Sequence, residues 1–150
     1  MKLTVQKYRH FNIGHDGGAM SCDLYVDGAL AAHVEHGGHG GPNNYQWVGS
    51  FAGQGFMPKS VKDFVDAQPE QDMYGMMVKP DLDCLVEDAI LDFQVAKKIA
   101  AKCKKVLVFA LPTDPKGTIR EMKSPYTASC AAWVQTKYPT AIIYNETLAA

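Results

Sequence analysis

The chain lacks a charge of one sign: fifteen Lys and Arg stand against sixteen Asp and Glu, a formal net charge of -1 over 150 residues. Without a basic excess, no counterion-release term drives sequence-independent binding to phosphate backbones, which disfavours a nucleic-acid binder. Paired cysteines are also missing. Cys22, Cys84, Cys103 and Cys130 are scattered, three of them at apolar phases of expected strands or helices, which reads as reduced core thiols. No apolar run approaches the roughly 20 residues of a membrane helix. The start, Met1-Lys2-Leu3-Thr4-Val5-Gln6, alternates in polarity instead of carrying a signal-peptide core. The expectation is a cytoplasmic protein with no membrane partner. There is no P-loop, no dinucleotide fingerprint, no helical His-x-x-x-His and no nucleophile elbow around Ser129, so no catalytic residue and no cofactor is assigned.

What remains is ordinary globular material, 47% hydrophobic and 21% charged, enough for one domain spanning residues 1–150. Residues 2–11 alternate as a strand, with Leu3, Val5 and Phe11 on one face and Lys7 and Arg9 on that same side. Residues 12–18 form a loop by composition. Met20, Cys22 and Leu24 then make the apolar face of a second strand that enters Asp27-Gly28.

The turn is decided by strand register. A two-residue Asp27-Gly28 loop would set Leu24 against Ala31 and send the two apolar sets to opposite sides. A three-residue loop, Val26-Asp27-Gly28 with Gly28 left-handed, pairs Leu24 with Leu30, Cys22 with Ala32 and Met20 with Val34 on one buried face. The other face carries Ser21, Asp23 and Tyr25 against His33, Ala31 and Ala29, so His33 is expected on the side away from the core.

Residues 49–57 read as irregular chain anchored by Phe51, Phe56 and Met57. Ser60 with Asp63 resembles a capping box opening a short helix that Pro69 stops. Asp81 caps the longest element, roughly Leu82 to Cys103, which packs on the hairpin through Leu85, Ala89 and Phe93. Its acids lie early and its lysines late, as the helix dipole favours. Residues 106–111 form a buried strand, 113–117 a turn and 118–123 a partner strand. A helix carrying Ala131, Trp133, Val134 and Tyr138 follows, and residues 141–144 are a last strand. The fold class is α+β: a mainly antiparallel sheet from an N-terminal hairpin unit and a C-terminal β-β-α-β unit, with a long central helix.

The most informative segment is the glycine-rich loop after the hairpin. His36, Gly37, Gly38, His39, Gly40, Gly41, Asn43, Asn44 and Tyr45 form an uncharged, His- and Asn-bearing edge, a plausible composition for recognition. Tyr45 brings an amphipathic ring to it, whereas Trp47 and Phe51 read as core anchors. His33, His36 and His39, with His15 and Asp16, are the weak candidates for a metal site. Residues three apart on a strand point to opposite faces, so no metal is assigned. Residues 37–41 are also a candidate anion cradle, without the lysine of a P-loop, and residues 113–118 read more simply as a hairpin turn. His10 with Asp16 or Asp23 is an acid–base pair by arithmetic only.

A strand entering Asp27-Gly28, followed by Gly-Gly-Pro-Asn-Asn-Tyr at residues 40–45, resembles small uncharacterised proteins of bacteriophages and other mobile elements. The tail, with Ser124-Pro125-Tyr126-Thr127, Lys137-Tyr138-Pro139 and Asn145-Glu146, is similar to their C-terminal part, and together these motifs cover about half the chain. The resemblance implies a bacterial cytoplasmic setting and an accessory role, with no catalytic residues to carry over. The final Leu148, Ala149 and Ala150 resemble the end of the tag that bacterial trans-translation adds for proteolysis. The functional expectation is a non-enzymatic accessory protein that binds a host defence or regulatory component through the glycine-rich loop. The alternative is a binder or hydrolase of a small nucleotide-like ligand that uses the same glycines and histidines.

Overall fold

Alternating apolar residues become strands here because one face of each is buried against helices. The computed structural model describes residues 1–12 and 18–149. The loop residues 13–17, with His15 and Asp16, and the terminal Ala150 lie outside the described residues. By its contacts the chain divides into two compact units, Met1–Phe93 and Gln94–Ala150.

In the first unit β1 (Leu3–Phe11), β2 (Ala19–Val26), β3 (Ala29–His36) and β4 (Asn44–Trp47) form an antiparallel sheet in that order. α1 (Lys59–Asp66) and the start of α2 (Leu82–Cys103) join its core through Val61, Val65, Leu82, Val86, Ala89 and Ile90, against Val5, Cys22, Leu24, Ala32 and Val34. Leu85 and Phe93 pack at the margin of this cluster. The α2 boundaries match the apolar periodicity, and Asp81 Oδ1 accepts from the Cys84 N–H at 2.9 Å, as an N-cap should. α1 instead begins after Pro58 with no side-chain cap, so Ser60 and Asp63 are inside the helix and the capping-box expectation fails. Asp63 pairs with Lys59 on the helix surface.

The hairpin register differs from expectation. Asp27 and Gly28 have φ of 49° and 85°, a two-residue turn of the mirror-image type, with Val26 opposite Ala29. Tyr25 then faces Leu30, the register slips, and Leu24 faces Ala32 with Ala31 as the extra residue. Leu24 is therefore not opposite Leu30, Cys22 faces Val34 and not Ala32, and Met20 faces His36 and not Val34. The Asp-Gly turn keeps its preferred geometry, and the bulge restores the phase one pair later. Leu24, Ala32 and Val34 still share the buried face, and His33 is exposed where Val34 is not. Leu30 is only half-buried. Burying Leu24 and Val34 contributes on the order of 1.5–3 kcal/mol each, and the bulge retains that gain.

A second slip, between Gln6 and Arg9 with Lys7 at φ 51°, breaks the expected face of β1. Past it Tyr8 joins the core, while Phe11 is left exposed. Between α1 and α2 lies a hairpin that the sequence does not announce, β5 (Gln71–Met73) with β6 (Met76–Val78), a two-stranded sheet of its own.

In the second unit β7 (Leu107–Ala110) lies between β8 (Arg120–Met122) and β9 (Ile142–Ile143), all antiparallel, with α3 (Ala128–Lys137) packed on Leu107, Phe109 and Ile143 through Ala131 and Val134. Residue 144 turns into α4 (Tyr144–Ala149), not a longer strand. Asn145 explains the change. Its Oδ1 accepts from Val108 N at 2.7 Å, and its Nδ2 donates to the Cys103 and Val106 carbonyls, so one buried amide ties the end of α2 to β7. The 113–117 turn is structural: Asp114 accepts from Leu111 N and from a bidentate Arg120, which holds its carboxyl down at about 2. The architecture is α+β, and every strand pair is antiparallel. Among the described residues no helix is long and apolar enough to cross a membrane.

Candidate functional site

The glycine-rich loop is built as a braced arch. His36 ends β3 on its inner phase; its Nε2 donates to the Gly41 carbonyl at 2.8 Å and its Nδ1 accepts from Gly38 N at 3.1 Å. Those two bonds select the neutral Nε2–H tautomer. Asp83, in the first turn of α2, holds the far side: Oδ2 accepts from Asn43 N at 3.0 Å and Oδ1 from the Tyr45 hydroxyl at 2.6 Å. Burial and that carboxylate push the Tyr45 hydroxyl strongly upward, so it serves as a donor. Tyr45 stacks on Trp47 at 5.6 Å, and Trp47 Nε1 donates to the Phe56 carbonyl. Gly38 is buried at φ 76°, and a Cβ there would meet the Gly18 and Ala19 backbone at 2.9–3.0 Å. His39, Gly40, Gly41 and Asn44 stay exposed, while Gly37 borders a hollow with His36. Since the Gly38 N–H is bonded to His36, it is not offered to an anion.

The three candidate metal ligands separate. His33 points to the outer face, His36 to the inner, and His39 is out on the loop. Among the described residues no group of three His, Cys, Asp or Glu converges for a metal.

On the outer face of the sheet the register assembles two rows. One is Gln6, Asp23, His33 and Gln46, and the next is Arg9, Ser21, Glu35 and Asn44. Asp23 is 7% exposed, and its Oδ1 lies 2.6 Å from His33 Nδ1. Among the described residues its Oδ2 is met by the Lys7 ammonium alone, in an ion pair of 2.8 Å. Lys7 first, and then His33, lower the Asp23 carboxyl against the opposing effect of burial. The bulge at Lys7 makes this possible by bringing its side chain to the outer row. Lys7, Asp23 and His33, with Arg9, Ser21, Glu35 and Gln46, line a cavity of about 350 Å³. Strand alternation alone puts Asp23 on the face of His33; the His10–Asp23 pairing, which rests on composition only, is not formed, since His10 stands opposite Met20, and nothing in the letters marks Lys7 as the cation.

The third feature is the β5–β6 hairpin. Tyr74 and Gly75 form its turn at φ 57° and 83°, the geometry of Asp27-Gly28, braced by a Gly75 N–H to Asp72 bond of 2.7 Å. Tyr74 is fully exposed, and Met76 and Met77 are 65% and 62% exposed. Sequence reasoning misses these residues; the Tyr-Gly pair just before the apolar Met76-Met77-Val78 is the available signal.

The chain matches no family model, no curated protein and no solved structure. Leu148, in the tail that resembles a proteolysis tag, is exposed in α4.

Proposed function

We propose that this chain is a binding protein that docks a partner protein through the β5–β6 hairpin, with the braced loop at residues 36–45 as a flanking contact. One observation carries the reading: Tyr74 occupies a left-handed turn position at φ 57° while its ring is wholly in solvent. Such positions favour Asn, Asp or Gly, as the Asp27-Gly28 turn in the same unit illustrates. A tyrosine there costs on the order of 1 kcal/mol, and among the described residues no burial offsets it. Local rules broken without internal compensation mark functional positions. Next to it Met76 and Met77 add adaptable apolar surface, the residue types enriched at interface cores. The partner is a protein with an apolar groove that accepts an aromatic anchor.

The loop is tied to the same neighbourhood. Asp83, which clamps Asn43 and Tyr45, follows Val78 by five residues, so at most roughly 17 Å of chain separates the clamp from the hairpin base. A braced loop loses little entropy on binding. The resemblance of residues 40–45 and of the tail to small phage and mobile-element proteins supports a host protein in the bacterial cytoplasm as the partner.

Tyr74→Asn separates folding from function, because it removes the aromatic while improving the turn. Affinity capture from bacterial lysate with the wild type, Tyr74→Asn and Met77→Ser is the test. The expected result is a partner retained by the wild type and lost by both variants, with Tyr74→Asn at least as stable as the parent. An unchanged set of captured proteins would overturn the reading.

A further inference from the structure

We infer that the outer face of the four-stranded sheet holds a second site, which binds a small zwitterion of dipeptide size, its carboxylate at Lys7 and Arg9 and its ammonium at Glu35. This site does not depend on the hairpin reading. Three observations support it. The cavity of about 350 Å³ falls in the size range of small-molecule sites. Its charges are segregated by strand: the cations Lys7 and Arg9 come from β1, and the carboxylate of Glu35 comes from β3 with Ser21 between them in the same row. The other carboxylate, Asp23, is buried beneath Lys7 and His33, so its charge is covered and Glu35 is left as the exposed anion of the cavity.

Size follows from strand spacing. Strands lie about 4.8 Å apart, so β1 and β3, separated by β2, are about 10 Å apart. Two linked residues extend up to about 7 Å, and ion-pair contacts from leaning side chains make up the rest. A single charged group could meet only one side of such a cavity. Asp23 fixes the His33 ring through Nδ1 and leaves Nε2 for a polar group at the middle of the ligand, with the Ser21 hydroxyl and the Gln46 amide lining the same hollow.

The probe is glycylglycine, titrated into the whole protein at fixed pH and ionic strength while the His33 imidazole and the β1–β3 amides are followed by NMR. Acetate and ethylammonium are the singly charged controls. The expected result is a saturable shift with glycylglycine alone, weakened about tenfold or more by Arg9→Ala and by Glu35→Gln. Both positions are exposed, so the amide spectrum of each variant also reports that the fold is kept. Absence of saturation, an equal response to either control, or full binding by the two variants would overturn the inference.

Discussion

His33 Nδ1 lies 2.6 Å from Asp23 Oδ1 across directly opposed positions of β2 and β3, with the carboxylate buried and the imidazole side chain 45% exposed. The pair exists because the bulge at Ala31 puts His33 opposite Asp23, while the bulge at Lys7 brings an ammonium to the second oxygen. Two single-residue irregularities thus create the polar centre of the outer face.

The Asp23 carboxyl titrates below its ordinary value because Lys7 and His33 favour its charged form. Its stabilising contribution is therefore fully present above the ordinary carboxylate range, and it is lost as pH falls through the lowered folded value. Lys7→Gln removes the largest cause, so the Asp23 titration should move upward, and the stability its carboxyl contributes should become smaller and be exhausted at a higher pH. Carboxyl carbon NMR across the acid range reads the first effect directly. An unmoved Asp23 titration would mean that Lys7 is not its partner in solution.

The observed register makes Leu24, at 0% exposure, a core residue and Leu30 a marginal one. Leu24→Ala should cost about 2–5 kcal/mol, the range for a cavity in a packed core. Leu30→Ala should cost clearly less. Urea denaturation of both variants decides it, and equal losses would favour the three-residue turn that pairs the two leucines.

Gly38 and Gly40 share the left-handed conformation, with φ of 76° and 73°, but differ in surroundings. A Cβ at Gly38 meets backbone at 2.9 Å, whereas at Gly40 it meets nothing within 4 Å. Gly40→Ala should therefore cost only the conformational strain, roughly 1–2 kcal/mol, and Gly38→Ala more. Thermal unfolding ranks them, and the reverse order would contradict the braced loop.

Much of the fold is legible where periodicity and end signals agree. α2 carries an N-cap aspartate, a regular apolar stripe and ordered charges, so its limits can be read off directly. The hairpin is half legible: Asp27-Gly28 marks the turn and the apolar alternation marks the face, but a bulge at a small residue such as Ala31 leaves no trace in composition. The same holds for Lys7, whose charge within an alternating strand looks like a solvated exception. β5–β6 escapes notice because its triplets are too short to show alternation and its exposed methionines look like core. The candidate loop is visible as composition, but its bracing is not, since Asp83 stands about forty residues away in sequence.

The central claim is that Tyr74 touches a partner protein, and site-specific photo-crosslinking reads this whatever the partner is. A photoreactive phenylalanine analogue is placed at position 74, and at position 133 as a control because Trp133 is also exposed but lies in the other unit. In bacterial cells, the expected result is a discrete crosslinked protein from position 74 that is absent from position 133 and disappears when Met76 and Met77 are both changed to Ser. No adduct from position 74, or the same adducts from both positions, would contradict it.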